Sequence, residues 1–211
     1  MTRGAGLLLL LAAAGCAELS QAPPTPPPAD LVQGSPDEGR GAILAAAAAF
    51  ADRGRGLAGQ PEATARAAAQ LEFITTELGR DPRFAAMPDS VRREMLLARI
   101  ELRDALGVAE TVPSDQVVAA LLAAARAIRA GDAARAAAAL PAPLFRPGGA
   151  ASVARLGEIG PLPQASIATT LAARQVERLD AESRWSGGQA NETGGTQITT
   201  FGLGGNQGLG Y

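Results

Sequence analysis

Apolar side chains recur at helical spacing through the middle of this chain, and this periodicity limits the possible folds more than any other feature. One run has a 4-3-4 spacing, which puts its members on one face of a helix: Ala67, Leu71, Ile74 and Leu78. Similar stripes cross residues 91–105, 117–128 and 167–179. No stretch before residue 186 alternates convincingly with the period of two that a half-buried strand requires. The sequence therefore predicts an all-α domain, built as a small bundle or an array of antiparallel helical hairpins.

Capping residues, glycines and prolines mark the ends of the predicted helices. Ser35 and Glu38 have the spacing of a capping box, with Pro36 at the first helical position, and this helix should end near residues 54–59. The second helix should begin at Pro61 and end before Gly79, because Asp81-Pro82 prevents continuation. The later helices are predicted from residue 89 or 90 to 107, 114 to 131, 132 to 140 and 163 to 185, with a short turn at 152–156.

Alanine supplies most of the hydrophobic content, which is 47% of the chain, whereas aromatic residues are only 3%. A buried alanine removes little area from water, and burial contributes about 25 cal/mol per Å². The predicted core is therefore thin for a domain of this length.

The chain contains no histidine, and all 19 of its basic residues are arginine. This composition excludes Ser-His-Asp and Cys-His mechanisms, histidine-ligated zinc sites and lysine Schiff bases. The net charge is −2 and no basic stripe is present, so no nucleic-acid partner is expected. We expect no cofactor and no metal, and the sequence identifies no small-molecule ligand.

The amino terminus carries Arg3, an apolar run over residues 7–14 and then Ala13-Ala14-Gly15-Cys16. Eight apolar residues are too few to span a bilayer but suit a cleaved export signal. The segment resembles the signal of bacterial lipoproteins, although Ala13 stands where leucine is usual. The resemblance implies removal of residues 1–15, acylation of Cys16, and a domain facing the periplasm. Ala17 does not match the aspartate of inner-membrane retention, so it favours the outer membrane. The alternative is an ordinary signal peptide with an incidental cysteine.

Two segments flank the predicted domain of residues 35–185. Residues 16–34 read as a tether, because their proline-rich centre at 23–28 favours extended polyproline II over a helix or strand. Residues 186–211 are rich in glycine and read as a flexible tail, since little apolar area is available there to offset the entropy of ordering. A partner-binding role of the tail is the alternative.

The turn at Gly131-Asp132, followed by Ala136, resembles part of a tetratricopeptide repeat, and a related glycine turn occurs 72 residues earlier at Gly59. The aromatic positions of that repeat are filled by alanine here. In an alanine-rich chain, chance is the alternative origin of this similarity.

Two carboxylate pairs could serve a glycosidase-like hydrolysis, namely Glu72 with Glu77 and Glu94 with Glu101. Neither spacing puts both acids on one helical face, and arginines lie nearby on each helix. Salt-bridged, solvated acids are therefore the preferred interpretation, and an envelope hydrolase is kept as the alternative function.

The predicted function is that of a membrane-anchored adaptor or assembly factor which binds another envelope protein. Its partner groove is predicted at apolar residues left over from the helical stripes: Met95, Leu102, Leu121 and Ile128. The alternative for each of these residues is an ordinary core position, since periodic apolar residues usually pack inward.

Overall fold

The computed structural model describes residues 28–32 and 37–185. Seven α-helices make up most of the described chain: α1 Glu38–Ala49, α2 Pro61–Arg80, α3 Asp89–Leu106, α4 Ser114–Arg129, α5 Ala133–Ala139, α6 Gly149–Gly157 and α7 Pro163–Ala181. Short 3₁₀ turns lie at Arg55–Leu57 and Pro82–Phe84. The described residues form no strand, only one isolated antiparallel bridge between Val108 and Phe145. The all-α prediction is confirmed.

Four of the helices pack as a closed ring, in which α1 contacts α2, α2 contacts α3, α3 contacts α7, and α7 returns to α1. The ring therefore places α7 across from α2. Helix α4 packs against α2 from outside the ring, α5 packs on α4, and α6 fills the space between α5 and α2. Alanine is the most frequent residue of the buried core, as the composition led us to expect. The predicted helical bundle is thus present.

Most helix ends follow the local signals in the sequence. Helix α3 ends at Gly107, which adopts the left-handed conformation with φ of 70°. Asp132 caps α5, since its Oδ1 accepts a hydrogen bond of 2.9 Å from the amide of Arg135. Short polar residues cap in this way because their side chains replace the missing backbone acceptor of the first turn.

Four predicted helix boundaries were wrong, namely both ends of α1 and the carboxyl-terminal ends of α2 and α7. Helix α1 begins at Glu38, where Asp37 and not Ser35 is the cap, and its Oδ1 accepts from the amide of Arg40 at 3.0 Å. Ser35 itself lies outside the described residues. Helix α1 also ends at Ala49, earlier than the predicted end at residues 54–59. Helix α2 continues through Gly79 to Arg80, because the first residue that blocks it is Pro82. Helix α7 stops at Ala181, before Trp185.

A short segment that the sequence assigns to the tether is attached to the helical domain. In residues 28–32, which we call the strap, the side chain of Leu31 is fully buried. The Gln70 amide donates to the carbonyl of Leu31 at 2.9 Å, and Arg66 donates to the carbonyl of Asp30 at 2.7 Å. Arg126 of α4 forms an ion pair with the Asp30 carboxylate at 2.6 Å. The strap therefore joins the domain at α2 and α4.

The remaining parts of the predicted tether, the export signal with Cys16, and the glycine-rich tail at 186–211 lie outside the described residues.

Candidate functional site

The four residues predicted to line a partner groove lie in or against the core. Met95, Leu102 and Leu121 are at most 1% exposed, and Ile128 is half-buried against the same core. They pack inward because α3 and α4 turn these stripes toward α2. Met95, Leu102 and Leu121 therefore offer almost no surface to a partner, and the alternative interpretation as core residues agrees with this burial.

Glu72 forms a buried ion pair that joins two helices. Its carboxylate receives two hydrogen bonds from Arg103 of α3, from Nε at 2.5 Å and from Nη2 at 2.9 Å. Arg103 also donates to Ser114 at the start of α4 and to the carbonyls of Glu110 and Val112. This network connects α2 to α3 and to the loop before α4, which is a structural role.

Glu77, the proposed companion of Glu72, lies five residues further along α2. Burial raises the pKa of the Glu77 carboxyl, and the neighbouring Asp81 raises this pKa further. The two acids therefore differ in their partners: Arg103 holds the Glu72 carboxylate, whereas the Glu77 carboxylate forms no ion pair among the described residues.

The second acid pair holds the amino terminus of α7 against α3. Glu101 accepts hydrogen bonds from the amides of Gln164 and Ala165 at 3.2 and 2.8 Å. Glu94 accepts from the Gln164 side chain at 2.6 Å. Helix amino termini leave such amides without a backbone partner and carry a partial positive charge, so a carboxylate there is stabilising. Glu101 acts as a cap supplied by another helix.

Replacing Glu101 with alanine should lower the free energy of unfolding by about 1 kcal/mol, because two half-buried amides of α7 lose their acceptor. Urea denaturation of the purified protein measures the change. Glu177→Ala removes an exposed acid from α7 itself and should stay within about 0.5 kcal/mol of the parent. Equal losses in the two variants would contradict the capping role.

An open groove lies on the outside of α7, beside the first turns of α3. It has a volume of about 500 Å³ and is lined by Ser90, Glu94, Ser166, Ile167, Thr170, Leu171 and Arg174. Ile167 is 57% exposed and Leu171 is 36% exposed, although both stand in the stripe predicted to face the core. Arg174 is exposed and forms no ion pair among the described residues. The groove therefore offers two apolar side chains and one available guanidinium, and we call it the α7 groove.

The α7 groove was not predicted from the sequence, because the large apolar residues of α7 were expected to face the core. Helix α7 instead buries Ala165, Ala168 and Ala172, together with Val176 and Leu179. These five residues also follow a helical spacing, so the signal was present but was carried by alanines. Small residues at the contact let α7 lie close to α3. Because α7 turns this alanine-rich face toward its neighbours, Ile167 and Leu171 face outward.

Within residues 28–32 and 37–185, no cluster of three or more histidine, cysteine, aspartate or glutamate side chains could hold a metal ion. None of the described helices combines the length and the apolar character needed to cross a membrane. Neither a protein-family model nor a curated protein nor a solved structure matches this chain.

Proposed function

We propose that this protein is an envelope lipoprotein, anchored in the outer membrane through acylated Cys16, whose helical domain binds a segment of another envelope protein in the periplasm. The observation that carries the binding role is the α7 groove, where Ile167 and Leu171 are exposed beside Arg174. Large apolar residues grouped with polar neighbours on a surface are typical of protein-binding sites. The resemblance of residues 1–16 to a lipoprotein signal supports the anchor.

The strap supports a defined position of the domain relative to the membrane. Since Asp30 and Leu31 are bound to α2 and α4, the spacer between the anchor and the domain reduces to residues 17–27. As polyproline II at about 3.1 Å per residue, it would reach about 34 Å. The chain enters at α2, and α7 lies across the ring from α2, so the α7 groove would face away from the membrane.

The chemistry of the α7 groove defines the partner segment that it would accept. Two apolar side chains of the partner would cover Ile167 and Leu171, which stand one helical turn apart, and an acidic side chain would meet Arg174. Ser166 and Thr170, which precede these two residues on α7, add hydroxyl groups to the lining of the groove. An amphipathic helix with one acid beside its apolar face fits this pattern.

The anchor is tested by replacing Cys16 with serine. Because the thiol is the only acyl acceptor in the chain, the variant should leave the membrane fraction or remain uncleaved. Mass spectrometry of the parent protein should find the acyl mass on Cys16. An unmodified Cys16 in the membrane fraction would contradict the anchor and leave the groove to be tested separately.

The binding role is tested by site-specific photo-crosslinking in membranes, with the photoreactive residue at Ile167. We expect one discrete adduct, reduced about tenfold by Leu171→Asp or Arg174→Glu, because each change removes a groove contact. Leu44→Asp is the matched control, since Leu44 is a 39% exposed apolar residue that does not line the groove. An adduct that survives the groove substitutions, or that Leu44→Asp abolishes equally, would overturn the proposal.

A further inference from the structure

Helix α3 carries a second apolar surface, separate from the lining of the α7 groove. Leu97 is 50% exposed and Ile100 is 63% exposed, with Leu96 beside them on the same outward side. Arg93 and Asp104 extend this row at both ends and are also exposed. The order Arg93, Leu97, Ile100, Asp104 has the 4-3-4 spacing of a helix-pairing stripe. We call these four residues the α3 stripe.

The two charges of the α3 stripe are available for an intermolecular contact. Neither Arg93 nor Asp104 takes part in an ion pair or a side-chain hydrogen bond among the described residues, whereas Arg92, Arg103 and Glu101 on other sides of α3 are all engaged. An apolar centre with polar ends is the usual composition of a protein interface.

We propose that the α3 stripe is a homodimer interface, in which α3 pairs in antiparallel orientation with α3 of a second copy around a two-fold axis. The order of charged and apolar residues along α3 supports this arrangement. The pair Arg93 and Asp104 and the pair Leu97 and Ile100 are both centred midway between Ala98 and Arg99. A two-fold axis at that point puts Arg93 opposite Asp104 of the second copy, and Leu97 opposite its Ile100. Each ion pair and each apolar contact then occurs twice, as an isologous interface requires.

The charges of the α3 stripe exclude a parallel pairing of the two α3 helices. In a parallel pair Arg93 would face Arg93 and Asp104 would face Asp104, and like charges across an interface are repulsive. Leu96 on one flank of the stripe widens the apolar centre. The dimer does not rest on the proposed binding function, because Ile167 and Leu171 lie on α7 and not in the α3 stripe.

Sedimentation of the chain from Ala17 onward tests the dimer. All residues of the described core lie between Leu31 and Leu179, so this chain keeps the whole core. The mass should rise from monomer to dimer at roughly micromolar concentrations. Arg93→Asp or Asp104→Arg alone should weaken dimerisation about tenfold, because each replaces two attractive pairs with two repulsive ones. The double charge swap, Arg93→Asp with Asp104→Arg, should restore it.

Two further variants test whether dimerisation depends on the α3 stripe or on an exposed apolar residue elsewhere. Leu97→Asp should abolish dimerisation while circular dichroism shows unchanged helicity, and Leu44→Asp, an equivalent change on α1, should leave the dimer intact. A monomer at all concentrations would overturn the proposal, as would a dimer that persists in Leu97→Asp or a charge swap that fails to restore association. A chain that dimerises only after removal of residues 186–211 would also overturn it, since its own tail would then cover the stripe.

Discussion

Replacing Glu72 with alanine should destabilise the protein by about 3 kcal/mol or more, the largest loss expected for any single charged residue here. The Glu72 side chain is 1% exposed and that of Arg103 is 11% exposed, so the substitution leaves a guanidinium almost completely buried without its counter-charge. Breaking a buried pair costs more than the pair contributes, because the remaining charge has lost its hydration. Urea denaturation at neutral pH measures the loss.

Two comparisons make this prediction specific. Glu62→Ala removes an acid that pairs with Arg66 and Arg129 on a more exposed surface, and it should cost less than about 1 kcal/mol. Replacing both Glu72 and Arg103 with methionine should cost less than Glu72→Ala alone, because no charge remains buried. A Glu72→Ala loss no larger than that of Glu62→Ala would show that Arg103 finds water or other acceptors when its partner is removed.

The second large effect is expected at Gly107, where alanine should cost about 3 kcal/mol. A residue with a side chain pays about 1–2 kcal/mol for the left-handed conformation that ends α3. A Cβ atom at Gly107 would also overlap the carbonyl oxygen of Arg146 and come within 2.7 Å of the Arg155 guanidinium. The backbone cannot retreat freely, because Gly107 accepts a hydrogen bond of 2.7 Å from the Arg146 amide. Overpacking of this kind adds about 1–3 kcal/mol.

Gly131 provides a matched control for the close contact. It has the same φ of 70° at the end of α4, but a Cβ there would meet nothing within 4 Å. Gly131→Ala should therefore show the conformational cost alone, and the difference between the two thermal or urea denaturation curves isolates the overlap with Arg146. If both variants lose equal stability, the loop at Arg146 adjusts and the close contact carries no energy.

The sequence by itself determined the fold class and most of the helix boundaries. Pro61 at a first helical position, Gly107 after α3 and Asp132 as the cap of α5 each act within one turn of the chain. Such signals depend on neighbours four residues away or fewer, so they can be interpreted without knowing the packing. The boundary errors at Ser35 and Gly79 arose where two local signals competed, and the nearer cap Asp37 and the later stop Pro82 prevailed.

Only the tertiary structure decided which surfaces are buried and which acids are structural. Glu101 caps a helix that begins more than sixty residues later in the chain, and Glu72 meets Arg103 on a different helix. The strap enters the core through Leu31, and α7 buries its alanines while Ile167 and Leu171 face outward. In an alanine-rich helix several faces are apolar enough to pack, so the hydrophobic pattern does not select one. The choice depends on how closely the neighbouring helix can approach, and that distance is set by residues remote in sequence.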